Sequence, residues 1–386
     1  MSVPRCFAAC LLALPTIAAA QGLPLKDLPR GGREIDEPFT LVSAAREWRG
    51  GQLLVADGTE AELAILDFTK GTRTALGRKG AGPGEYQMPM ALLGAGDTIW
   101  VMDAAQQRIV AFLPDLKPGT TYPVVTFDQQ TMTALSMPMV TDRRGRLFAS
   151  AMKISQGTTG PIVPDSATVV RLDPRTNNAP RTVVATVRNV TSGSPQVQRN
   201  GQNVSIKVQF PGLVAADAWA VFPDGRVAIV RGNNYSVQFI GADGKASAPK
   251  LIPHTRFPVT AADRTAEMDA VKKVMVEQNK MMQRMVPEGI TMEIQIIPPA
   301  QWPTQYPPLS PLAAIAAPDG KLWVRRAVPE RDGRQQWEVI DATGTLIARW
   351  RLAAREELVA VGTNVVYTTR RDEDDLRYVR RVELPR

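Results

Sequence analysis

The chain has 386 residues, of which 44% are hydrophobic and 22% are charged, and its formal net charge is +8. These values are ordinary for a globular protein and exclude a chain that is disordered throughout. The chain contains one histidine, His254, and two cysteines, Cys6 and Cys10. The sequence therefore gives little support for a histidine-based metal site, or for a Ser-His-Asp or Cys-His nucleophile system.

The first 20 residues are predicted to be a secretory signal peptide. Arg5 supplies the positive charge, residues 6–17 the apolar stretch, and residues 18–20 the small side chains before a cleavage site. The apolar stretch is shorter than the roughly 20 residues that span a bilayer, and no later segment is apolar enough to be a transmembrane segment. The mature chain, residues 21–386, is expected to be one cysteine-free domain in the periplasm or outside the cell.

One pattern occurs six times along the mature chain: an apolar segment, a tight turn that contains glycine, and a β-rich run. The turn glycines are Gly51, Gly96, Gly145, Gly225, Gly320 and Gly362. Each run is followed by a further short strand, so each unit is predicted to be about four short antiparallel strands. Such a sheet cannot bury both faces alone, and six of them predict an all-β fold, a six-bladed β-propeller of four-stranded blades.

The most specific part of the pattern follows the first unit. A Gly-Pro-Gly-Glu-Tyr connector at residues 82–86 leads to a strand that ends in Val-Met-Asp at residues 101–103 and then to Arg-Ile-Val-Ala-Phe at residues 108–112. This stretch resembles an NHL repeat, and the resemblance implies a propeller of an exported bacterial type. The connector glycines permit a tight crossing between blades, where Tyr86 is expected to pack.

Two of the units carry insertions. Gly145 and Gly225 are 80 residues apart and Gly225 and Gly320 are 95 apart, whereas the other intervals are 42–49 residues. The extra residues are placed at about 189–210 and 259–308. The first insertion is predicted to be a hairpin that turns at Asn200-Gly201, which is a typical tight-turn dipeptide.

The second insertion is predicted to contain the one α-helix of the fold, over residues 261–286, with Thr260 and Asp263 as a reciprocal cap and Pro287 at its end. Methionines recur on one face of this helix, including Met268, Met275 and Met282. Such a stripe packs on its own protein or forms an adaptable surface for a protein partner. The helix is expected either to cover one mouth of the propeller channel or to meet a partner.

The last unit is short of an outer strand, because the chain stops soon after Val382. Residues 32–35 are predicted to supply that strand and to close the ring by pairing the two ends of the chain. Closure removes the sheet edges that otherwise invite aggregation.

Four residues at the ends of the repeated strands are candidate ligand contacts at the channel mouth. Asp57 and Asp103 belong to the first two units, and Arg231 and Arg326 belong to the fourth and fifth. An acidic pair opposite a basic pair could orient a zwitterionic or anionic small molecule. The alternative for the aspartates is structural: they bind turn amides or pair with arginines such as Arg108.

No catalytic or metal-binding motif stands out, so the sequence favours a non-catalytic binding or protein-interaction scaffold without a cofactor. The expected partner is a protein or a small anionic ligand, and nucleic acid is not an expected partner of an exported chain. The alternative is a metal-assisted lactonase or related hydrolase that resembles gluconolactonases, in which a divalent ion such as Ca²⁺ lies in the channel. Candidate oxygen ligands for that ion are Glu85, Asn233, Asn234, Asp57 and Asp103.

Overall fold

A computed structural model describes residues 22–157, 160–162, 164–176, 180–190, 196–283, 289–329 and 333–385. The predicted signal peptide lies outside these residues. No helix in the part of the chain described is long and apolar enough to cross a membrane.

The first half of the described chain is composed of short strands. Two of them, β1 (Leu25–Asp27) and β2 (Arg33–Glu34), come before the first sheet. Sheet 1 consists of β3 (Ala44–Glu47), β4 (Leu53–Asp57), β5 (Glu62–Asp67) and β6 (Thr72–Ala75), with one 3-10 turn at Arg49–Gly51. A short parallel pair follows, β7 (Arg78–Lys79) and β8 (Glu85–Tyr86). Sheet 2 consists of β9 (Pro89–Ala95), β10 (Thr98–Asp103), β11 (Arg108–Phe112) and β12 (Tyr122–Pro123).

Sheet 3 is interrupted by a small hairpin. Its first strands are β13 (Phe127–Asp128), β14 (Thr133–Thr141) and β15 (Leu147–Lys153). The hairpin of β16 (Ser155–Gly157) and β17 (Gly160–Ile162) precedes its last strands, β18 (Ser166–Leu172) and β19 (Thr182–Arg188). The first insertion then forms a second hairpin of β20 (Gln196–Asn200) and β21 (Asn203–Gln209). This hairpin turns at Asn200-Gly201, as predicted.

The second half contains three more sheets and the helix. Sheet 4 consists of β22 (Ala218–Val221), β23 (Val227–Arg231), β24 (Ser236–Ile240) and β25 (Lys250–Leu251). The second insertion contributes α1 (Ala261–Gln283) and β26 (Thr291–Ile297). Sheet 5 consists of β27 (Leu309–Ala316), β28 (Leu322–Arg326), β29 (Gln336–Ile340) and β30 (Leu346–Arg351). Sheet 6 consists of β31 (Glu356–Gly362), β32 (Val365–Arg371) and β33 (Arg377–Glu383).

The six numbered sheets form a closed ring. Their innermost strands are β3, β9, β14, β22, β27 and β31, and each contacts the next, with β31 contacting β3. An apolar cluster lies between every two neighbouring sheets. Radially arranged antiparallel sheets around a central channel are a β-propeller. The predicted all-β propeller fold is confirmed.

The second strand of a sheet shows why the sheets must pack against each other. All five residues of β4 are buried. Leu53 and Val55 belong to the cluster shared with sheet 6, whereas Leu54 and Ala56 belong to the cluster shared with sheet 2. Alternate side chains of a strand point to opposite faces, so a continuous apolar run is needed where both faces are covered.

The connector after sheet 1 fixes the joint between sheets 1 and 2. Tyr86 is buried among the side chains of both sheets. Its hydroxyl donates to the carbonyl oxygen of Leu76 at 2.7 Å and accepts from the backbone N–H of Leu63 at 3.0 Å. Burial raises the pKa of Tyr86 to about 12, so the hydroxyl remains a donor at physiological pH. The expected position of Tyr86 between adjacent sheets is confirmed.

The two ends of the chain close the ring. β2 pairs with β33 in the register Arg33 to Arg381 and Glu34 to Arg380, as predicted for residues 32–35. A further contact was not predicted: β1 pairs in parallel with β30 and becomes the outer strand of sheet 5. The N-terminal segment therefore supplies outer strands to two neighbouring sheets.

Ring closure can be tested at Ile35, which is 2% exposed in the cluster between sheets 6 and 1. Ile35→Ala should lower the free energy of unfolding by about 2–5 kcal/mol, because it leaves a cavity in that cluster. Leu23→Ala is the control, since Leu23 is exposed, and it should change stability by less than about 0.5 kcal/mol. Chemical denaturation measures both, and equal effects would show that the terminal segment does not hold the ring.

Candidate functional site

Both insertions leave the ring at the same end. Counted outward from the innermost strands named above, the second strand of each sheet runs toward that end, and so does the fourth strand, because neighbouring strands are antiparallel. The insertions follow the fourth strands of sheets 3 and 4, which are β19 and β25. We call this the insertion end of the ring and the opposite end the turn end.

The two insertions combine into a single unit, although sheet 4 separates them in the sequence. β21 pairs in parallel with β26, from Asn203 opposite Thr291 to Gln209 opposite Ile297. α1 packs on β26, where the Asn279 side chain exchanges two 2.9 Å hydrogen bonds with the backbone N–H and carbonyl of Ile294. We call β20, β21, α1 and β26 the insertion unit. Its two parts were predicted separately, and their pairing was not.

The start of α1 is fixed by the predicted cap. The Thr260 backbone N–H and hydroxyl donate to Oδ2 of Asp263 at 2.8 and 2.7 Å, and the Asp263 N–H donates back to the Thr260 hydroxyl at 3.2 Å. The reciprocal cap satisfies donors that have no partner within the helix. The predicted helix end at Pro287 lies outside the described residues.

The predicted methionine stripe is partly described. Met268 is buried and Met275 is half-buried, whereas the surroundings of the Met282 side chain lie outside what the structure describes. The helix covers β26 of its own insertion unit. Its first turns also contribute to the cavity described next, so the helix takes part in a surface at the insertion end.

A cavity of about 860 Å³ lies between the insertion unit and sheet 5. Its walls come from the loop after β21, the first turns of α1, the segment before β27 and the end of β28. The apolar part of the lining includes Val190, Phe210, Leu213, Val214, Ala266 and Val328, and the side chains of Asp263, Glu267 and Arg325 carry charges. We call this space the insertion cavity. A mostly apolar lining with a few charged groups suits a small organic ligand.

The two candidate aspartates hold loops at the insertion end. Asp57 is buried, and its carboxylate accepts backbone N–H groups of Leu41, Thr59 and Glu60 at 2.9–3.1 Å. This arrangement agrees with the structural alternative for Asp57, because its carboxylate is occupied by amides.

Asp103 is buried in the same way. Its carboxylate accepts the N–H groups of Gln87 and Met88 at 3.2 and 3.0 Å and lies 3.8 Å from Nε of Arg108. This contact with Arg108 agrees with the structural alternative for the aspartates. Neither aspartate is brought to the surface of a cavity by these contacts.

The first candidate arginine, Arg231, lies at the insertion end with its side chain about one-third exposed. Its Nη1 donates to the Thr186 carbonyl at 2.9 Å and to Oδ2 of Asp217 at 2.6 Å. Asp217 also accepts the N–H groups of Arg188 and Gly232 at 2.9 Å. Arg231 is thus oriented by Asp217, a partner that the sequence analysis missed.

The second candidate arginine, Arg326, is only 2% exposed. Its three nitrogens donate to the carbonyl of Pro308 at 2.5 Å, to Oε1 of Glu338 at 3.1 Å and to the carbonyl of Thr255 at 3.3 Å. Its guanidinium also lies 4.8 Å from the ring centroid of Tyr235. An anionic ligand would have to displace protein partners to reach this charge.

Glu338 is the centre of a buried polar cluster between sheets 4 and 5. It contacts Arg326, lies 3.2 Å from Nε of Arg349, and accepts the Tyr235 hydroxyl at 2.5 Å. Tyr235 is fully buried and has a φ of +51°, a backbone region that is unusual for a bulky residue. Burial, and next the charge of Glu338, raise the pKa of Tyr235, so its hydroxyl stays protonated. The one signal in the sequence is an acidic residue within an apolar strand.

His254 lies at the edge of this cluster. Its ring meets the Tyr235 ring edge to face at 5.3 Å between centroids, and its Nδ1 is 3.1 Å from the carbonyl oxygen of Ile252. Desolvation by burial is the largest cause that lowers the pKa of His254, although the hydrogen bond to Ile252 opposes it. The histidine therefore belongs to a structural contact.

The candidate ligands of the alternative metal site are not brought together as a set. Glu85 accepts from Nε of Arg78 at 2.7 Å and from the N–H of Gly82 at 2.8 Å in the connector after sheet 1. Asn234 accepts the hydroxyl of Ser236 at 2.9 Å. Among the described residues, no three histidine, cysteine, aspartate or glutamate side chains are grouped so that they could hold a metal ion.

No model of a known protein family matches the sequence, and no curated protein matches it. Solved structures are similar in fold. A calcium-binding protein, regucalcin, from Agrobacterium tumefaciens is 11% identical, with 94% of this chain and 98% of that chain covered and a TM-score of 0.44. A member of the duf4221 family from Bacteroides vulgatus is 10% identical over 93% and 97% of the two chains, with a TM-score of 0.47.

A third similar structure is virginiamycin B lyase from Staphylococcus aureus, which is 10% identical over 95% of this chain and 89% of that chain, with a TM-score of 0.35. Identities and scores of this size concern the fold alone. The assignment of a propeller rests on the ring of sheets, and function must be argued from the sites of this chain.

The polar cluster should be essential for stability. Glu338→Gln removes the carboxylate that neutralises two arginines, and loss of one partner from a buried ion pair typically costs about 3–5 kcal/mol. Glu357→Gln removes an exposed carboxylate that lies 2.9 Å from Arg371, and it should cost no more than about 1 kcal/mol. Chemical denaturation measures the free energy of unfolding of both variants, and similar losses of stability would contradict a central role for Glu338.

Stability should also depend on pH through His254. Its pKa is lower in the folded protein than the ordinary value of 6.5, so below that value the unfolded chain binds more protons than the folded one. The His254 contribution is therefore complete above pH 6.5 and declines as the pH falls through 6.5 toward the folded-state pKa. His254→Asn should flatten this part of the curve of unfolding free energy against pH. A single imidazole resonance that titrates above 6.5 would refute the assignment.

Proposed function

We propose that this protein is an exported, non-catalytic binding protein that holds a small molecule in the insertion cavity. In this proposal each numbered sheet is one blade of a six-bladed propeller, and the insertion unit is the specialised part. The observation that carries the proposal is the space of about 860 Å³ between the insertion unit and the ring. Ligand sites are typically clefts of about 300–1,000 Å³ with mostly apolar walls and a few placed polar groups.

The lining favours a ligand with an apolar body and a polar group. Phe210, Leu213 and Val328 provide apolar surface, whereas Glu267 and Arg325 provide charges of both signs. The loop that carries Phe210 is held by an edge-to-face contact with Trp302 at 6.2 Å between ring centroids. Because this loop is already held in place, ligand binding would cost less conformational entropy there.

The four residues predicted as ligand contacts have different roles in this proposal. Arg231, one-third exposed at the insertion end, draws anionic molecules toward that end of the ring. Asp57 and Asp103 position the loops at the same end through their backbone hydrogen bonds. Arg326 supports the joint between sheets 4 and 5.

Export is proposed from the N-terminal sequence. A charged residue, Arg5, a short apolar stretch and residues 18–20 with small side chains follow the order of a secretory signal. Removal of residues 1–20 also removes both cysteines, so an oxidising compartment would not alter the folded protein through disulfides.

The proposal can be tested by narrowing the insertion cavity from its helical wall. Ala266 lines the cavity on an exposed turn of α1, and Ala266→Trp should fill part of the space without disturbing a buried core. With Nile red as a neutral apolar probe, fluorescence titration of the unmodified protein should show one saturable site. Ala266→Trp should weaken that binding at least about tenfold.

Ala270→Trp is the matched control, since Ala270 is exposed on the same helix and does not line the cavity. It should bind the probe as the unmodified protein does. Equal affinities for the two tryptophan variants, or no saturable binding by the unmodified protein, would overturn the assignment of the insertion cavity.

A further inference from the structure

A second cavity lies on the axis of the ring and is distinct from the insertion cavity. It has a volume of about 570 Å³, and the innermost strands of all six numbered sheets contribute to its wall. Most of this wall is apolar or small. The larger apolar side chains include Leu92, Val140, Trp219, Val221, Ile315 and Val359. We call this space the channel cavity.

Two arginines line this cavity: Arg143 is exposed at the rim, whereas Arg46 is partly buried in the wall. Arg46 belongs to β3, the innermost strand of sheet 1, and lines the channel cavity. In the part of the chain that the structure describes, no carboxylate lies within ion-pair distance of its guanidinium, and no side-chain hydrogen bond joins it to a protein group. Burial lowers the pKa of Arg46, because it removes water from around the guanidinium. Arginine nevertheless keeps its positive charge.

The acidic residues near Arg46 are not its partners. Glu47 is the next residue in β3, but its Oε1 accepts the hydroxyl of Tyr367 at 2.8 Å, which directs it to sheet 6. Asp97 lines the cavity from an exposed turn at the turn end. Neither residue forms an ion pair with Arg46. A partly buried guanidinium that faces the channel and has no ion-pair partner in the protein favours an anion from solution.

The neighbouring strand makes room for this guanidinium. Gly94 is buried in β9, and its backbone does not have the positive φ that would by itself require glycine. A Cβ atom at this position would lie 2.8 Å from Cζ of Arg46 and 2.9 Å from its Nη2, which is closer than van der Waals contact allows. The backbone N–H of Gly94 donates to the Thr141 hydroxyl at 2.8 Å and fixes the slot. Arg46 and Gly94 together therefore form a defined position for the charge.

We propose that the channel cavity binds an amphiphilic monocarboxylate, with the carboxylate on Arg46 and the apolar part along the channel wall. A guanidinium presents two parallel N–H groups to a carboxylate, and the low-dielectric wall strengthens that contact. Arg46 offers one positive charge, and the carboxylates of Glu47 and Asp97 line the same cavity, so the site favours a monoanion over a dianion such as phosphate. The apolar wall favours a carboxylate with a hydrocarbon body over a small hydrophilic one.

The test uses residues 21–386 and decanoate, kept below its micelle concentration, in isothermal titration calorimetry. The expected result is binding of one decanoate per chain. Decanol has the same hydrocarbon chain without the charge, and it should bind at least about tenfold more weakly, because it loses a charge-assisted hydrogen bond.

Two variants test the role of the charge and its position. Arg46→Met removes the charge, and it should weaken decanoate binding at least about tenfold while the Tm stays equal or rises, since no protein partner is left unpaired. Gly94→Ala keeps the charge but displaces the guanidinium, and it should also weaken binding. Arg143→Met is the matched control, because Arg143 is exposed at the rim of the same cavity, and its affinity should stay within about twofold.

Four results would overturn the proposal. The first is no decanoate binding by the unmodified protein, and the second is an equal effect of Arg46→Met and Arg143→Met. The third is a lower Tm in Arg46→Met, which would give Arg46 a structural role. Loss of decanoate binding in Ala266→Trp but not in Arg46→Met would also overturn it, while it would support the insertion cavity. The two proposals can therefore fail separately.

Discussion

The structure depends on one constraint: each sheet has two apolar faces and can cover them only with its neighbours. β4 illustrates this, since Leu53 and Leu54 are both buried but belong to clusters on opposite sides of sheet 1. Burial of apolar surface is the main favourable contribution to folding, and here it is obtained only between sheets. A ring satisfies every sheet because it has no first or last member. The terminal strands β1 and β2 therefore have a structural role out of proportion to their length.

The same constraint separates scaffold from site. Residues between the sheets are committed to packing, and buried polar groups there need partners from the protein itself, as Glu338 and Tyr235 show. Surfaces that are free to vary remain at the channel and at the two ends of the ring. The insertion unit enlarges one end and forms one wall of the insertion cavity, whereas Arg46 modifies the channel. The two candidate sites thus use the parts of the fold that packing does not determine.

Local features were predictable from the sequence because they depend on short-range chemistry. Gly225 and Gly320 have φ values of +90° and +83° in two of the predicted glycine turns, and the Asn200-Gly201 hairpin and Thr260 cap formed as expected. The last repeat differs, because its turn has the positive φ at Asn364 and not at Gly362. Asparagine tolerates this backbone region better than most residues.

Long-range features were not predictable from one sequence. The pairing of β21 with β26 joins segments on either side of sheet 4, and neither strand specifies its partner. The short sequence around Arg46, Ala-Ala-Arg-Glu, does not itself indicate a channel, and only the ring places that arginine there. The candidate ligand residues were selected by their position in the repeat, which identifies equivalent strand ends but not which side chains already have partners. Both candidate arginines already have protein partners: Arg326 contacts Glu338, and Arg231 contacts Asp217.

The placement of β1 and β2 has a consequence for biosynthesis. The chain is made from its N-terminus, so the strands that complete sheets 5 and 6 emerge first and find their partners, β30 and β33, last. Loop closure over almost the whole chain slows such pairing. Until the last residues are synthesised, the apolar faces of sheets 1 and 6 that later pack together remain exposed and can associate with other chains. A truncated or stalled product of this chain is therefore a natural substrate for chaperones and proteases, even when most of its sheets have already formed.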